Sequence, residues 1–472
     1  MPPPDEAQSF SVKRAQVEFH NFASLGEPER AIAGYLDENR RRGSILRGHR
    51  DFLGALSPFL EIGANAGHTS YMLANEFGAD GFALDISADA LRHGIALMDR
   101  CGFRRAPVRV AGDAVNLPFR DGSLRFVMAC QVLSQFMNIG SVFEEVKRVL
   151  APGGVFLFTE EPLRRPLSLH LYRAPYPERM KAWERKLFKW GLLGYLARDV
   201  IGAEQEESFG IRQNHRMYLS DWRKLIATHF AAQRYVVFAP QRGWGERIVK
   251  TMVRTDWRTA RLLGGTLAAF CRKAGEPAGG EGTVDRFEDF LRCPDCHGAL
   301  ARDAAEALAC ACGYRAASEG GVYNLLPANL RAELYPGDRA DAIDFSLPGH
   351  EARLREGWGE LDGDFGNRFR WIAARATAVL RPVRGGPRRL RVRGYAHEAL
   401  FAAGQPVVEL RVNGQTVARH TIGRVGLFIA EADLPDAEAY DLEILASPTF
   451  TWPDEDRLFS VNISMIRIVG PE

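Results

Sequence analysis

With 472 residues the chain is too long for one ordinary core and predicts two to four domains. Its 61 basic and 59 acidic residues leave a net charge of +2, which gives no polyanion-binding signature, so no nucleic-acid partner is expected. The opening MPPPDEAQSF has no leader pattern and no run approaches bilayer-spanning length, so the expected compartment is the cytoplasm; seven cysteines, four in one short stretch, argue for a metal rather than a disulfide framework.

Residues 1–50 are expected to form an N-terminal helical cap. From 51 to about 160, short apolar runs alternate with helical stretches, the pattern of βαβ units and a parallel sheet. Strands are predicted at FLEIG (59–63), GFALDI (81–86), VRVAGDA (108–114), RFVMAC (125–130) and GVFLFTE (154–160). Ser141 and Glu144 form a capping-box pattern opening the helix SVFEEVKRVL, which the breaker APGG closes. An insert over 163–250 reads as mostly helical, and GTLAAFCRK (265–273) returns to a last strand that completes a domain over 51–275. Residues 276–288 read as a flexible linker and 289–328 carry the clustered cysteines. Over 340–472, short alternating strands and the hairpin signal Asn413-Gly414 predict an all-β sandwich.

The stretch FLEIGANAGHTS (59–70) sets a glycine loop between the first strand and a helix. Such a loop cradles nucleotides, because the backbone can approach the ligand and the helix N-terminus offers N–H groups. A dinucleotide fingerprint wants glycines at 63, 65 and 68 and finds one; a loop with glycines two apart finds Gly63 and Gly67, with Asn65 between them. Asparagine is the non-glycine residue that best tolerates a left-handed backbone, so it keeps the loop's conformation.

Glu61-Ile62-Gly63-Ala64-Asn65-Ala66-Gly67 resembles the first motif of the class I S-adenosylmethionine-dependent methyltransferases. The other motifs follow in order: Asp85 ending the second strand, Gly112-Asp113-Ala114 after the third, LPFRDGSLRFVMAC into the fourth and VKRVLAPGGVFLFTEEP at the fifth. The resemblance implies S-adenosyl-L-methionine as cofactor. It places Glu61 near the amino group of the methionine portion, Asp85 on the ribose hydroxyls and Asp113 on the adenine amino group, with Gly63, Asn65, Gly67, Ala114 and Gln131 in the same cradle. A carboxylate at a strand's C-terminal end does face the crevice where doubly wound sheets bind ligands. Taken singly, each acid reads better as a solvated loop carboxylate or a helix cap; taken together they favour the cofactor.

A sulfonium methyl is already activated, so transfer needs an aligned nucleophile and, for a hydroxyl, removal of its proton. Glu160 and Glu161 after the fifth strand are the expected bases, with His215 or Tyr218 in NHRMYLSDW as competing candidates and Gln131 and Gln135 as further base or anchor candidates; His215 reads more readily as a surface histidine before a helix cap at Ser220. The family often has His near the position of Gln135, and this chain does not. No NPPY-type motif of amino-methylating enzymes follows the fourth strand, which ends MACQVL, and this favours an oxygen acceptor on a small molecule or sugar. In MKAWERKLFKW, Met180, Trp183, Leu187 and Trp190 share one helical face among Lys181, Arg185, Lys186 and Lys189. That face reads preferentially as a lid over the acceptor, and otherwise as a helix lying on an anionic membrane; a lipid-linked sugar at the membrane surface would make both true.

Cys293-Pro-Asp-Cys296 and Cys310-Ala-Cys312 flank thirteen residues, enough for a hairpin between two metal knuckles, and four thiolates so spaced make a closed, structural zinc site. The region resembles the zinc ribbons that activate tRNA and ribosome-factor methyltransferases, with CxC where the ribbon has CxxC, a departure that could hand a ligand role to His297. The C-terminal half is similar to β-sandwich modules of bacterial surface-polysaccharide enzymes. There Trp358, Trp371, Tyr395 and Trp452 could stack on sugars, although large aromatics in a sandwich are more often core. The expected fold class is multidomain: an α/β doubly wound Rossmann-like methyltransferase sheet, a small zinc ribbon and an all-β sandwich. The expected function is methyl transfer to a hydroxyl of a sugar or glycan intermediate in bacterial surface-polysaccharide or glycoconjugate biosynthesis. The alternatives are a non-catalytic scaffold or glycan-binding protein, and an RNA or protein methyltransferase with its activator fused in cis.

Overall fold

The computed structural model describes residues 28–469 except 137, 165–168, 170, 175–179, 191, 201–216, 242–250, 264, 277–281, 336–339, 346–348, 364–367, 384–385 and 453–455. One compact unit holds Gly34–Ile86 and Met98–Leu326; the other includes Ser87–Leu97 and the chain from Pro327 onward. Among the described residues no helix is long and apolar enough to cross a membrane.

In the first unit, β1 (Phe59–Ile62), β2 (Gly81–Asp85), β3 (Val108–Ala111), β4 (Leu124–Cys130) and β5 (Leu150–Leu163) run parallel in the order β3-β2-β1-β4-β5. Every side chain of β1 and β2 is buried, which is why these strands read as apolar runs rather than as alternation. The side chains still alternate between two cores. Leu60, Val127 and Phe156 face one that includes Val142, Phe143 and Val146 of the helix Ile139–Val149. Phe59, Met128 and Leu157 face the other, with Leu46 of α1 (Pro28–Gly48) and Met72 and Leu73 of α2 (His68–Glu76). Each fully buried Phe or Leu contributes roughly 1.5–3 kcal/mol, so the two covered faces fix the sheet and, with it, the strand ends.

The insert begins with a small parallel pair, β6 (Tyr172–Ala174) and β7 (Ala197–Val200). The main sheet continues past β5 in antiparallel fashion through β10 (Gly265–Arg272), β8 (Ala232–Gln241) and β9 (Thr251–Thr255). The insert is therefore less helical than expected: AQRYVVFAPQ, with its β-branched and aromatic residues, is a strand of the main sheet. The helix expected to open at Ser141 starts two residues earlier, at Ile139, because Asn138 rather than Ser141 is its cap, its side chain accepting from the Ser141 N–H.

The cysteine region joins this sheet. Ala301–Arg302, Leu308–Ala309 and Arg315–Ala316 form a three-stranded ribbon, and Val322–Asn324 then pairs in parallel with β3. Phe290 and Pro118 carbonyls accept from Arg120 N (2.8 Å) and Arg292 N (3.1 Å), stitching the ribbon's start to the loop after β3.

The second unit contains two sheets, of six and four strands, with Val461–Val469 central in the larger and fully buried. The Asn413-Gly414 turn, at φ +50° and +79°, closes the hairpin of Val407–Val412 and Gln415–Thr421. Its aromatics mostly pack inward: Trp358 donates Nε1–H to Thr377 O at 2.7 Å, and the Trp371 ring meets Phe450 and Phe459 edge-on.

Candidate functional site

Three neighbouring strands of the parallel sheet lead at their C-terminal ends into non-glycine residues with left-handed backbone: Asn65 beyond β1 (φ +50°), Gln131 after β4 (+56°) and Glu160 within β5 (+65°). Each costs on the order of 1 kcal/mol, and such strain gathers where doubly wound sheets bind ligands. Gly63 adopts φ +70°, and a Cβ there would lie 2.5 Å from Val132 Cγ2, so no larger residue fits. The Asn65 N–H donates to Asp85 Oδ2 at 2.8 Å, tying the loop to the end of β2, where Asp85 is almost wholly buried. Glu61, also buried, accepts from both the N–H (2.8 Å) and the hydroxyl (2.5 Å) of Ser70, so it caps the first turn of α2 as well as facing the loop. Burial pushes its carboxyl above the usual range, against the opposing pull of His68, Ser70 and Arg42. Asp113 Oδ1 accepts from Val115 N at 3.1 Å, and the buried Ala114 lies beside it. Asn116, whose N–H donates to Asp113 O (3.0 Å), also donates its Nδ2–H to Pro294 O (2.9 Å), so this loop is held by the first cysteine knuckle. The structure thus brings Glu61, Gly63, Asn65, Gly67, Asp85 and Gln131 to the ends of three adjacent strands, with Asp113 and Ala114 following β3 beside them.

A second layer comes from α1. Arg42, nearly buried, bonds to Glu160 Oε2 through Nη2 (2.8 Å) and Nε (3.2 Å), to Thr69 Oγ1 (2.7 Å) and to His68 Nε2 (2.8 Å). Glu38 Oε2 lies 2.8 Å from the same His68 Nε2, and Tyr35 stacks on the imidazole at 4.3 Å. Burial works against the charge of Glu38, yet the His68 hydrogen bond and the fields of Arg42, His68 and Arg41 prevail and hold its carboxyl down to about 2. A guanidinium only donates and an ionised carboxylate only accepts, so Nε2 serves one of its two neighbours at a time. In either tautomer His68 Nδ1 is buried without a partner among the described residues, as are Asn39 Oδ1 and Thr159 Oγ1. Asn39 donates to His68 O (2.9 Å), and Thr159 O accepts from Gln131 N (2.9 Å), so the orphaned atoms belong to the same sheet edge. Native interiors rarely leave such groups unmet, and a polar, partly charged ligand such as S-adenosylmethionine fits that donor and acceptor set. The sequence reading missed Tyr35, Glu38, Asn39, Arg42, His68 and Thr159. Its one available signal was the i, i+4 spacing of Glu38 and Arg42 inside a polar helix.

Both expected strand-end bases already have partners. Glu161 is fully buried, and its carboxylate accepts from the N–H groups of Val132 (2.9 Å), Leu133 (2.8 Å) and Ser134 (3.0 Å), anchoring the turn after β4. Burial pushes it up to about 7, opposed by those backbone donors. Glu160 is committed to Arg42 and, at 3.4 Å, to Arg41. His215 lies outside the described residues.

The cysteine cluster adjoins the loop after β3 through Pro294. The four Sγ atoms of Cys293, Cys296, Cys310 and Cys312 lie within 4.8 Å of one another, with Cys293–Cys312 at 3.7 Å and Cys296–Cys310 at 3.4 Å. A tetrahedral ZnS4 centre with bonds of about 2.3 Å has edges of about 3.8 Å, so the geometry suits a closed zinc site. A Cβ at Gly298 would meet Cys296 Sγ at 3.3 Å and Cys310 Sγ at 3.4 Å, crowding the cradle. His297 is not in the cluster; the CxC spacing is absorbed by a turn in which Gly313 N–H donates to Cys310 O.

Residues 60–158 match the family model described as a methyltransferase domain. This segment therefore carries the signature of a methyltransferase domain. Norajmaline N-methyltransferase of Rauvolfia serpentina is 23% identical over 167 residues, 35% of this chain and 54% of that protein. Malonyl-(acyl-carrier protein) O-methyltransferase of Geobacter sulfurreducens is 31% identical over 101 residues, 21% of this chain and 36% of that protein. The chain therefore spans about half or less of the length of these relatives. A SAM-dependent methyltransferase of Methanosarcina mazei is similar at 18% identity, covering 48% of this chain and 97% of that one, with a TM-score of 0.31.

Proposed function

We propose that the protein transfers a methyl group from S-adenosylmethionine to a hydroxyl of a sugar or glycan intermediate in surface-polysaccharide or glycoconjugate assembly. The observation that carries the methyl-transfer part is the left-handed loop from Gly63 to Gly67 locked to Asp85 beside three orphaned buried polar atoms. The cofactor, when bound, supplies an activated methyl group. Asp85 would take its ribose hydroxyls, Asp113 its adenine amino group, and Glu61 with His68 its methionine end. Arg42 and Glu160 would keep α1 closed over that end and exclude water from it. The oxygen acceptor is supported by the MACQVL sequence after β4, and the glycan by the resemblance of the C-terminal strands; one relative's name carries an N-methylation and the other an O-methylation. With both strand-end carboxylates engaged, His215 is the proposed proton acceptor. In the same reading the four cysteines hold a structural Zn2+.

Calorimetry on Asp85→Ala tests the cofactor assignment: affinity for S-adenosylmethionine is expected to fall by about 2 kcal/mol, as for a lost charge-assisted pair, and unchanged affinity would sink it. His215→Ala should lower turnover by roughly a hundredfold with cofactor affinity intact.

A further inference from the structure

The insert between β5 and β8 builds a small core of its own. Ala174, Met180, Leu193 and Ala197 are buried together, with Tyr172, Leu187 and Phe188 packed against them. The apolar stripe expected along this helix is therefore split. Met180 and Leu187 turn inward, while Trp183 and Trp190 stay 48% and 50% exposed. Leu169 and Leu171, each 69% exposed, and Leu192, 41% exposed, lie in the same segment. Five of the twelve large apolar side chains exposed among the described residues thus fall between positions 169 and 192. That is a concentration a solvated surface does not favour.

The charges around them are of one sign. Lys181, Arg185, Lys186 and Lys189 are all exposed, and the Lys186 ammonium sits 4.9 Å from the Trp190 ring centre. Glu184, the one acid among the described residues of this segment, is buried and turned back to cap the helix Ala182–Lys189, accepting from Lys181 N at 2.6 Å. Among the described residues the outer face consequently presents indole rings, leucines and cations without an exposed carboxylate; Glu178 lies outside them. Indoles favour the headgroup level of a bilayer, lysines reach its phosphates, and a helix this short can lie along the boundary but not cross it.

We propose that Leu169, Leu171, Trp183, Trp190 and Leu192, with Lys181, Arg185, Lys186 and Lys189, form a docking patch for an anionic lipid surface. The patch stands independently of the reaction proposed above. Where that reaction holds, the insert leaves directly from the end of β5 that carries Glu160, so the same membrane would present a lipid-linked acceptor to that edge.

The test uses the full chain, so that Glu204, Glu206 and Glu207, which lie outside the described residues, are free to compete for the same cations. Flotation with phosphatidylcholine vesicles containing one quarter phosphatidylglycerol should recover the protein, and pure phosphatidylcholine should not. Partitioning should fall at least tenfold in Trp183→Ser/Trp190→Ser and about fivefold for each cation removed in Arg185→Gln or Lys189→Gln, with unchanged thermal unfolding. In the unsubstituted protein, brominated lipid should quench tryptophan emission, which gives a readout that needs no variant. Failure to bind anionic vesicles, or equal binding by the double tryptophan variant, overturns the proposal. So does a concentration-dependent dimer that the double variant abolishes, since a second copy would then be what covers the patch. None of these readouts involves methyl transfer, so a failed patch and a failed reaction are told apart.

Discussion

The strand-end cradle and the cysteine cluster lie in one compact unit, yet they are built on opposite principles. The cradle is mostly backbone: left-handed turns at Gly63, Asn65 and Gly67, fixed from behind by Asp85 and Glu61. The cluster is all side chain, four sulfurs on two turns, and the apolar residues around it, Leu291, Leu300, Leu308 and Tyr314, belong to the same core as the parallel sheet. A site made of main chain fails when a Cβ is added. A site made of ligands fails when an atom is taken away.

The sharpest way to break this contrast is chelation. Metal analysis should find one zinc per chain, lost in Cys293→Ser/Cys296→Ser. Removing it should withdraw on the order of 10 kcal/mol of binding free energy from the ribbon, seen as loss of amide protection over 290–326 while β1 and β4 stay protected. A metal-free protein with a protected ribbon would show that the borrowed core suffices alone. Next in size is Gly63→Ala, which meets Val132 at 2.5 Å and should destabilise by about 3 kcal/mol and abolish cofactor binding in calorimetry. Unfolding monitored against pH gives a comparable figure for the α1 array. Glu38 is held at about 2, below its unfolded value, so its contribution is complete above about pH 4.5 and is lost as pH falls toward 2. It should amount to on the order of 3 kcal/mol, and Glu38→Gln should flatten that limb. Smallest is Asn65→Gly, expected to change stability by under about 1 kcal/mol and to keep cofactor affinity, because glycine shares the left-handed conformation and leaves the N–H that Asp85 holds.

The sheet and its loop were readable because their signals are local. Buried parallel strands must be apolar runs, an acid at the strand end stands out against them, and asparagine announces a left-handed turn. The α1 array was not readable, because Arg42 and Glu160 are 118 positions apart and nothing near either names the other. Glu161 misled for a related reason. A carboxylate beside a strand end looks like a base until three N–H groups of the next turn claim it. The tryptophans of the insert misled through periodicity, which gives a helix's faces but not which one the core takes: Met180 and Leu187 pack inward while Trp183 and Trp190 stay exposed.

The pairing of Val322–Asn324 with β3 sets an order on events at the ribosome. The strand that completes that side of the parallel sheet leaves the exit tunnel some two hundred residues after β3. At about 5–20 residues per second this is a wait of roughly 10–40 s with a sheet edge open. An open edge is a template for another chain's strand. The nascent parallel sheet is therefore most prone to mispairing in that window, and arrival of the ribbon closes it.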